Sequence, residues 1–177
     1  TGAMIKSIKE GIRQGLRILP GRPMATKGDD AQRIAQSEGM YEDSGMLDAA
    51  PFLIRSTEED VLRVYVLMFG GGPAIRAHTH RVFHKHQVES LIGQIVEWAI
   101  ESTAQLGCSP CTLAVGVGRS HYEATSLMLQ ALVDGRYDKQ SEMEQEITHR
   151  VNESHVGALG LGGDTTVLAT FMKVGPQ

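Results

Sequence analysis

Two thiols give this chain its first candidate for chemistry. Cys108 and Cys111 lie two residues apart in LGCSPCTLAVGVG (106–118). Cysteines at that spacing can cycle between dithiol and disulfide or share a metal. No second cysteine pair occurs, so a structural zinc site would need histidines to complete it. The thiols run directly into an apolar stretch and the turn Gly116-Val117-Gly118. A glycine turn at the start of a helix points backbone N–H groups outward, which favours phosphate or carboxylate. The dinucleotide fingerprint needs a third glycine where His121 stands. The turn therefore reads either as an anion-holding turn or as a tight packing turn.

Other residues offer different chemistry. His78, His80, His84 and His86 alternate as HTH and HKH, a spacing that shares one face of an extended segment and could bring imidazoles to a metal. The plainer alternative is a polar edge. Glu42 and Asp43 lie in a loop bracketed by Gly39 and Gly45; paired acids can move protons, and they also make solvated turns. Gly70-Gly71-Gly72-Pro73 permits close approach of a ligand or a backbone. His149 and His155 flank the glycine-rich stretch GALGLGGD (157–164) and read as solvent-facing or capping residues.

The elements that must position these groups follow from periodicity. Ile5, Ile8, Ile12, Leu16 and Leu19 make one helical stripe, stopped by Pro20-Gly21-Arg22-Pro23. Asp29 or Asp30 caps a short helix through Gln36. Segments 52–55 and 61–69 (VLRVYVLMF) read as strands, the second covered on both faces. Residues 88–106 make the clearest helix, with Val88, Leu91, Ile92, Ile95, Val96 and Ala99 on one face. A buried strand is expected at 112–117. Ser120 with Glu123, and Ser141 with Glu144, have the capping-box pattern for two further helices. The second of these, with the narrow stripe Met143, Ile147 and Val151, is expected on the surface. A last strand covers 165–174. The order of elements predicts an α+β fold with a mixed sheet and packed helices. Residues 1–3 read as an expression scar, 4–38 as a helical segment, and 39–177 as the core of a single domain, expected to be truncated at its C-terminus.

The 177 residues, 41% hydrophobic and 21% charged, suit a globular protein. A net charge of −4 gives no basic footprint for nucleic acid. No apolar run reaches the roughly 18 residues of a membrane span, and no signal peptide is visible. A cytoplasmic location is the expectation.

Taken in order, the motifs resemble one family, the iron–sulfur hydro-lyases of class I fumarase and L-tartrate dehydratase, in their α or cluster-bearing part. Tyr41-Glu42-Asp43-Ser44-Gly45 occupies the place of a Cys-Gln-Asp-Thr-Gly loop. Phe69-Gly70-Gly71-Gly72-Pro73-Ala74-Ile75-Arg76 matches a strand running into Gly-Gly-Gly-Ser-x-Asn-Lys. Cys108-Ser109-Pro110-Cys111, leading to Gly116-Val117-Gly118, matches Cys-Pro-Pro before Gly-Val-Gly. Asn152, the loop 157–164 and Thr165-Thr166 match the closing glycine-rich motif.

The resemblance implies addition or removal of water at a small dicarboxylate or hydroxy acid such as fumarate, malate or tartrate. It implies a [4Fe–4S] cluster on three cysteines, whose open iron acts as a Lewis acid. Cys108 and Cys111 are then the metal ligands, and Asp43 and Glu42 the catalytic acids. Gly71, Gly72, Arg76, Gly116, Gly118, Gly162 and Gly163 hold substrate, with Arg76 as the cation for a carboxylate. It also implies a β-type partner subunit, which carries the catalytic base, and a homo- or hetero-oligomer. The pattern departs from the family at several points. Tyr41 replaces the first cluster cysteine, Glu42 an amide and Pro73 a serine, and a third cysteine does not occur. Two alternatives therefore stand beside the hydro-lyase. One is a cluster-free relative that binds a small molecule or serves regulation or assembly. The other is a metal protein using the histidine run with Cys108 or Cys111.

Overall fold

A computed structural model describes residues 2–19, 24–49, 51–69 and 77–176. The chain forms two compact units, Thr1–Glu59 and Asp60–Gln177.

In the first unit, helix α1 (Gly2–Ile18) follows the expected stripe and includes residues 2–3. The stop signal at 20–23 lies outside the described residues. Helix α2 (Asp30–Ala35) has Asp29 as its N-cap. The Asp29 side chain accepts from the Gln32 N–H, and the Gln32 side chain accepts from the Asp29 N–H. A two-way backbone clasp joins Thr26 to Met40: Lys27 donates to the Gly39 carbonyl and Tyr41 to that of Ala25. A 3-10 turn, Ser44–Met46, docks onto the C-terminal end of α1, where Ser44 Oγ donates to the Leu16 carbonyl at 2.8 Å.

The second unit holds the core. Helix α3 (Val88–Thr103) precedes strand β1 (Cys111–Val117). Helices α4 (His121–Asp134) and α5 (Glu142–Glu153) follow, then strand β2 (Val167–Val174). The two strands pair in parallel, with Cys111 opposite Val167 and Val117 opposite Val174. Ala131 of α4 packs with Ala169 and Phe171 of β2. Ile92, Ile95 and Val96 of α3 pack with Ile147 and Val151 of α5 and Val167 of β2. Each fully buried aliphatic side chain contributes about 2 kcal/mol to stability.

The α+β class holds, but the described sheet is parallel rather than mixed. Helix α5 is not a surface helix, since Ile147 and Val151 are completely buried. The reason lies in the polar residues flanking its narrow stripe. Thr148 Oγ1 donates to Thr170 Oγ1 at 2.9 Å, and the Asn152 amide grips the start of β2. Glu144 accepts from the Ser141 N–H with one carboxylate oxygen and from the Met172 N–H with the other, both at 2.7 Å. These side chains face the strand and widen the buried surface.

Segments 52–55 and 61–69 are not strands. Neither forms a strand ladder among the described residues, and the apolar side chains of 61–69 are exposed, Leu62 by 68% and Met68 by 65%. Apolar, β-branched composition favours a strand only where a partner completes the ladder. The histidine run is irregular rather than extended throughout. It turns at Lys85 and His86, both left-handed, with φ of 50° and 58°.

Candidate functional site

Parallel strands begin at the same end, so the pairing of Cys111 with Val167 brings the loops before them together. The thiol loop and the glycine-rich loop share the N-terminal edge of the sheet. The Leu159 N–H donates to the Leu106 carbonyl at 2.9 Å, and the Cys111 N–H donates to that of Thr166 at 3.0 Å. Asn152 fixes the arrangement from α5. Its side-chain oxygen accepts from the Thr166 and Val167 N–H groups, and its NH2 donates to the Val167 carbonyl. The buried Thr166 hydroxyl accepts from the Gly157 N–H at 3.1 Å, closing the loop's base.

The two thiols differ. Cys108 is exposed. Cys111 packs against the apolar core, and burial pushes its thiol pKa up. A neutral thiol is a poor ligand and a poor nucleophile, so Cys108 is the better placed of the two.

The glycine-rich loop owes its glycines to backbone shape. Gly157, Gly160, Gly162 and Gly163 all have positive φ. A side chain on Gly157 would also meet the Gly162 carbonyl at 2.1 Å. The N–H groups of 159–163 all donate to carbonyl oxygens, those of Gly162 and Gly163 to Val156 and His155. They are spent within the protein rather than aimed at an anion.

Gly116 and Gly118 stand at the other end of β1, roughly 20 Å from the thiol loop at about 3.3 Å per residue. A Cβ on Gly116 would lie 1.9 Å from the Ala124 carbonyl oxygen, and one on Gly118 would lie 2.7 Å from the Ala124 nitrogen. These glycines let the α4 backbone press against the strand. The helix start already has its anion, because the Glu123 carboxylate accepts from the Arg119 N–H at 2.7 Å and pairs with the Arg119 guanidinium. The expected capping box is therefore half formed. Ser120 accepts from the Glu123 N–H, while the Glu123 side chain turns to Arg119.

Asp43 belongs to the first unit. Arg17 donates to both its carboxylate oxygens, at 2.9 and 2.8 Å, and the Gly45 N–H donates to one of them. The Arg17 hydrogen bonds, with the Gly45 N–H second, hold its pKa at about 2. Glu42 is exposed. Gly71, Gly72 and Arg76 lie outside the described residues.

The histidines make ring contacts. His80 stacks on Trp98 with centroids 3.8 Å apart, and His78 stacks on His80 at 5.9 Å. His84 Nδ1 accepts from the His86 N–H. Among the described residues no three His, Cys, Asp or Glu side chains converge on a metal position. A cluster held by three thiolates needs one more cysteine than these 177 residues contain. The donor set described does not fit such a cluster.

Sequence reasoning missed three features. Asn152 as the clamp of the loop carried no local signal beyond its position before the glycines. His155 Nδ1 lies 3.4 Å from Asp164 Oδ1, a pair spanning the two ends of the loop. A groove of about 420 Å³ runs along α5, lined by Tyr137, Gln140, Gln145, Thr148, His149 and Asn152. The Gln140, Gln145, Thr148 and Asn152 side chains are already hydrogen-bonded within the protein.

Together these features define an α+β unit whose parallel strands bring a thiol-bearing loop and a glycine-rich loop to one edge. The family model described as Fumarate hydratase (Fumerase) matches residues 1–177, and the chain belongs to this family. It is also 24% identical over 180 residues to the "Putative L(+)-tartrate dehydratase subunit alpha" of Methanocaldococcus jannaschii. That match covers 97% of this chain and 60% of the relative, so the chain spans about three fifths of the relative's length. No helix among the described residues is long and apolar enough to cross a membrane.

Proposed function

We propose that this chain is the α-type part of a hydro-lyase acting on a small dicarboxylate or hydroxy acid of the fumarate or tartrate kind. The match to the fumarate hydratase family along the whole chain carries this reading. The relative named as a subunit alpha supports a β-type partner. The shared edge of the thiol and glycine-rich loops is the place for substrate. Cys108, exposed there, is the residue with ligand chemistry, and Arg76 and the glycines of 70–72 are the remaining candidates for substrate contact. Asp43, whose carboxylate is taken by Arg17, serves as a structural anion in this reading rather than as a proton donor. Glu42 is the other, exposed acid of that loop. The donors among the described residues do not make a three-thiolate cluster.

A second reading has its own support. Two cysteines, one of them half-buried with its thiol pKa pushed up by burial, favour a cluster-free relative that binds a dicarboxylate without turning it over.

Anaerobic purification of the full-length protein with its co-purifying partners separates the two. Iron, acid-labile sulfide, fumarate hydration and L-tartrate dehydration are the measurements. Turnover of either acid supports the hydro-lyase. A protein that holds neither iron nor sulfide and turns over neither acid, yet binds one by calorimetry, establishes the second reading. Absence of both turnover and binding overturns both.

A further inference from the structure

The glycine-rich loop has side chains, rather than amides, to offer a ligand. The N–H groups of Leu159, Gly160, Leu161, Gly162 and Gly163 donate to the carbonyls of Leu106, Gly157, Ala158, Val156 and His155. Between Arg150 and Lys173 the sequence has no lysine or arginine, so His155 is the one residue there that can carry positive charge. It stands just beyond α5 in a left-handed conformation, φ 51°, and its carbonyl accepts from the Gly163 N–H at 3.2 Å. The backbone therefore fixes where the ring is attached. Asp164 Oδ1 stands 3.4 Å from its Nδ1. With a carboxylate beside Nδ1, Nε2 is the ring nitrogen left to hydrogen-bond another molecule.

Holding the loop is a weak explanation for this pair. Both side chains are well exposed, His155 by 65% and Asp164 by 98%, and exposed pairs add little stability. The loop is already closed by its backbone bonds, by Asn152 and by Thr166.

We propose that His155 is the ligand-contacting residue of the glycine-rich loop. Its Nε2 meets an oxygen of a small carboxylate or hydroxy acid, and Asp164 is the positioning residue that orients the ring. The proposal rests on the hydro-lyase reading above, because that reading supplies the ligand class.

The test is a titration of the purified full-length protein, labelled with 15N in its histidines, with L-tartrate, malate and fumarate under anaerobic conditions. At least one acid is expected to move the His155 ring resonances saturably while those of His149, paired with Glu153 on α5, stay in place. His155→Asn keeps a residue that tolerates left-handed backbone and removes the imidazole. It is expected to raise the Kd or KM for that acid about tenfold, the loss of one charge-assisted hydrogen bond, with kcat changed less. Asp164→Asn is expected to raise it by less and to alter the 15N shifts that report the His155 tautomer. If His155 stays unmoved while other resonances saturate, the acid binds elsewhere. The proposal then fails and the hydro-lyase reading stands. If no histidine resonance moves, the proposal fails; the hydro-lyase reading fails with it only if calorimetry and turnover assays on the same sample also show neither binding nor reaction of the three acids. The wild-type titration decides these outcomes even if a variant does not fold.

Discussion

The two ends of the β1–β2 pair use glycine for opposite purposes. At the C-terminal end, Gly116 and Gly118 are small because the α4 backbone occupies the space where a side chain would stand. At the N-terminal end, Gly157, Gly160, Gly162 and Gly163 take conformations that other residues rarely adopt. The first end is closed by packing, and its helix N-terminus is neutralised by the chain's own Glu123. The second end carries an exposed thiol, an imidazole 3.4 Å from a carboxylate and a loop tied to its neighbour by the Leu159 N–H. In open parallel sheets ligands usually lie beyond the carboxyl ends of the strands. Here the carboxyl end is filled, and the groups with chemistry lie at the opposite end. Glycine-rich sequence therefore marks close approach in one place and backbone shape in the other, and neither by itself marks an anion site.

Substitutions break or sharpen this contrast. Gly116→Ala should have the largest effect, because the new methyl meets backbone rather than a movable side chain. A loss of about 3 kcal/mol or more is expected from urea denaturation followed by Trp98 fluorescence, at the upper end of overpacking costs. A well-folded Gly116→Ala with an unchanged midpoint would show that α4 does not press on the strand. Asn152→Ala removes three hydrogen bonds at the other end and leaves the Thr166 and Val167 amides unpaired. It should cost about 2 kcal/mol and raise amide exchange selectively in the loop 157–166. Gly160→Ala has a φ of 69° but open space around its Cβ. It should lose only about 1 kcal/mol, the conformational penalty alone, and Gly160→Asn should recover part of it. Equal losses for Gly116→Ala and Gly160→Ala would erase the distinction between the two ends.

Asp43→Asn, in the first unit, is the smallest change. The Asp43 pKa is depressed from 3.8 to about 2 in the folded protein. Its contribution is therefore complete above about pH 4 and is lost as the pH falls toward 2. A pH titration of the Gly45 amide resonance should show this acid transition in the wild type and not in the variant.

Much of this architecture is local and could be read from the sequence. The stripes of α1 and α3, the caps at Asp29, Ser120 and Ser141, and the strands expected at 112–117 and 165–174 depend on residues within one or two turns of each other. What could not be read depends on distant partners. Arg17 reaches Asp43 across 26 residues, converting an apparent proton donor into a fixed anion. Helix α5 looked too polar to be buried because Thr148, Asn152 and Glu144 find their partners in β2. Segment 61–69 has a strand's composition but no strand ladder among the described residues. The motif 106–118 looked like one site because it is contiguous, yet a strand separates its thiols from its glycines by its own length.

The Asn152 clamp also bears on the order in which the chain folds. Cys111 and Val167 are 56 residues apart, whereas Asn152 reaches Thr166 and Val167 across 14 and 15. Closing the short loop first costs less chain entropy, so α5 can carry β2 to the sheet as a preassembled piece. A contact made that early appears in the refolding rate as well as in the unfolding rate. Asn152→Ala should therefore slow refolding in stopped-flow experiments, whereas Gly160→Ala, altering a tip that orders late, should act mainly by speeding unfolding.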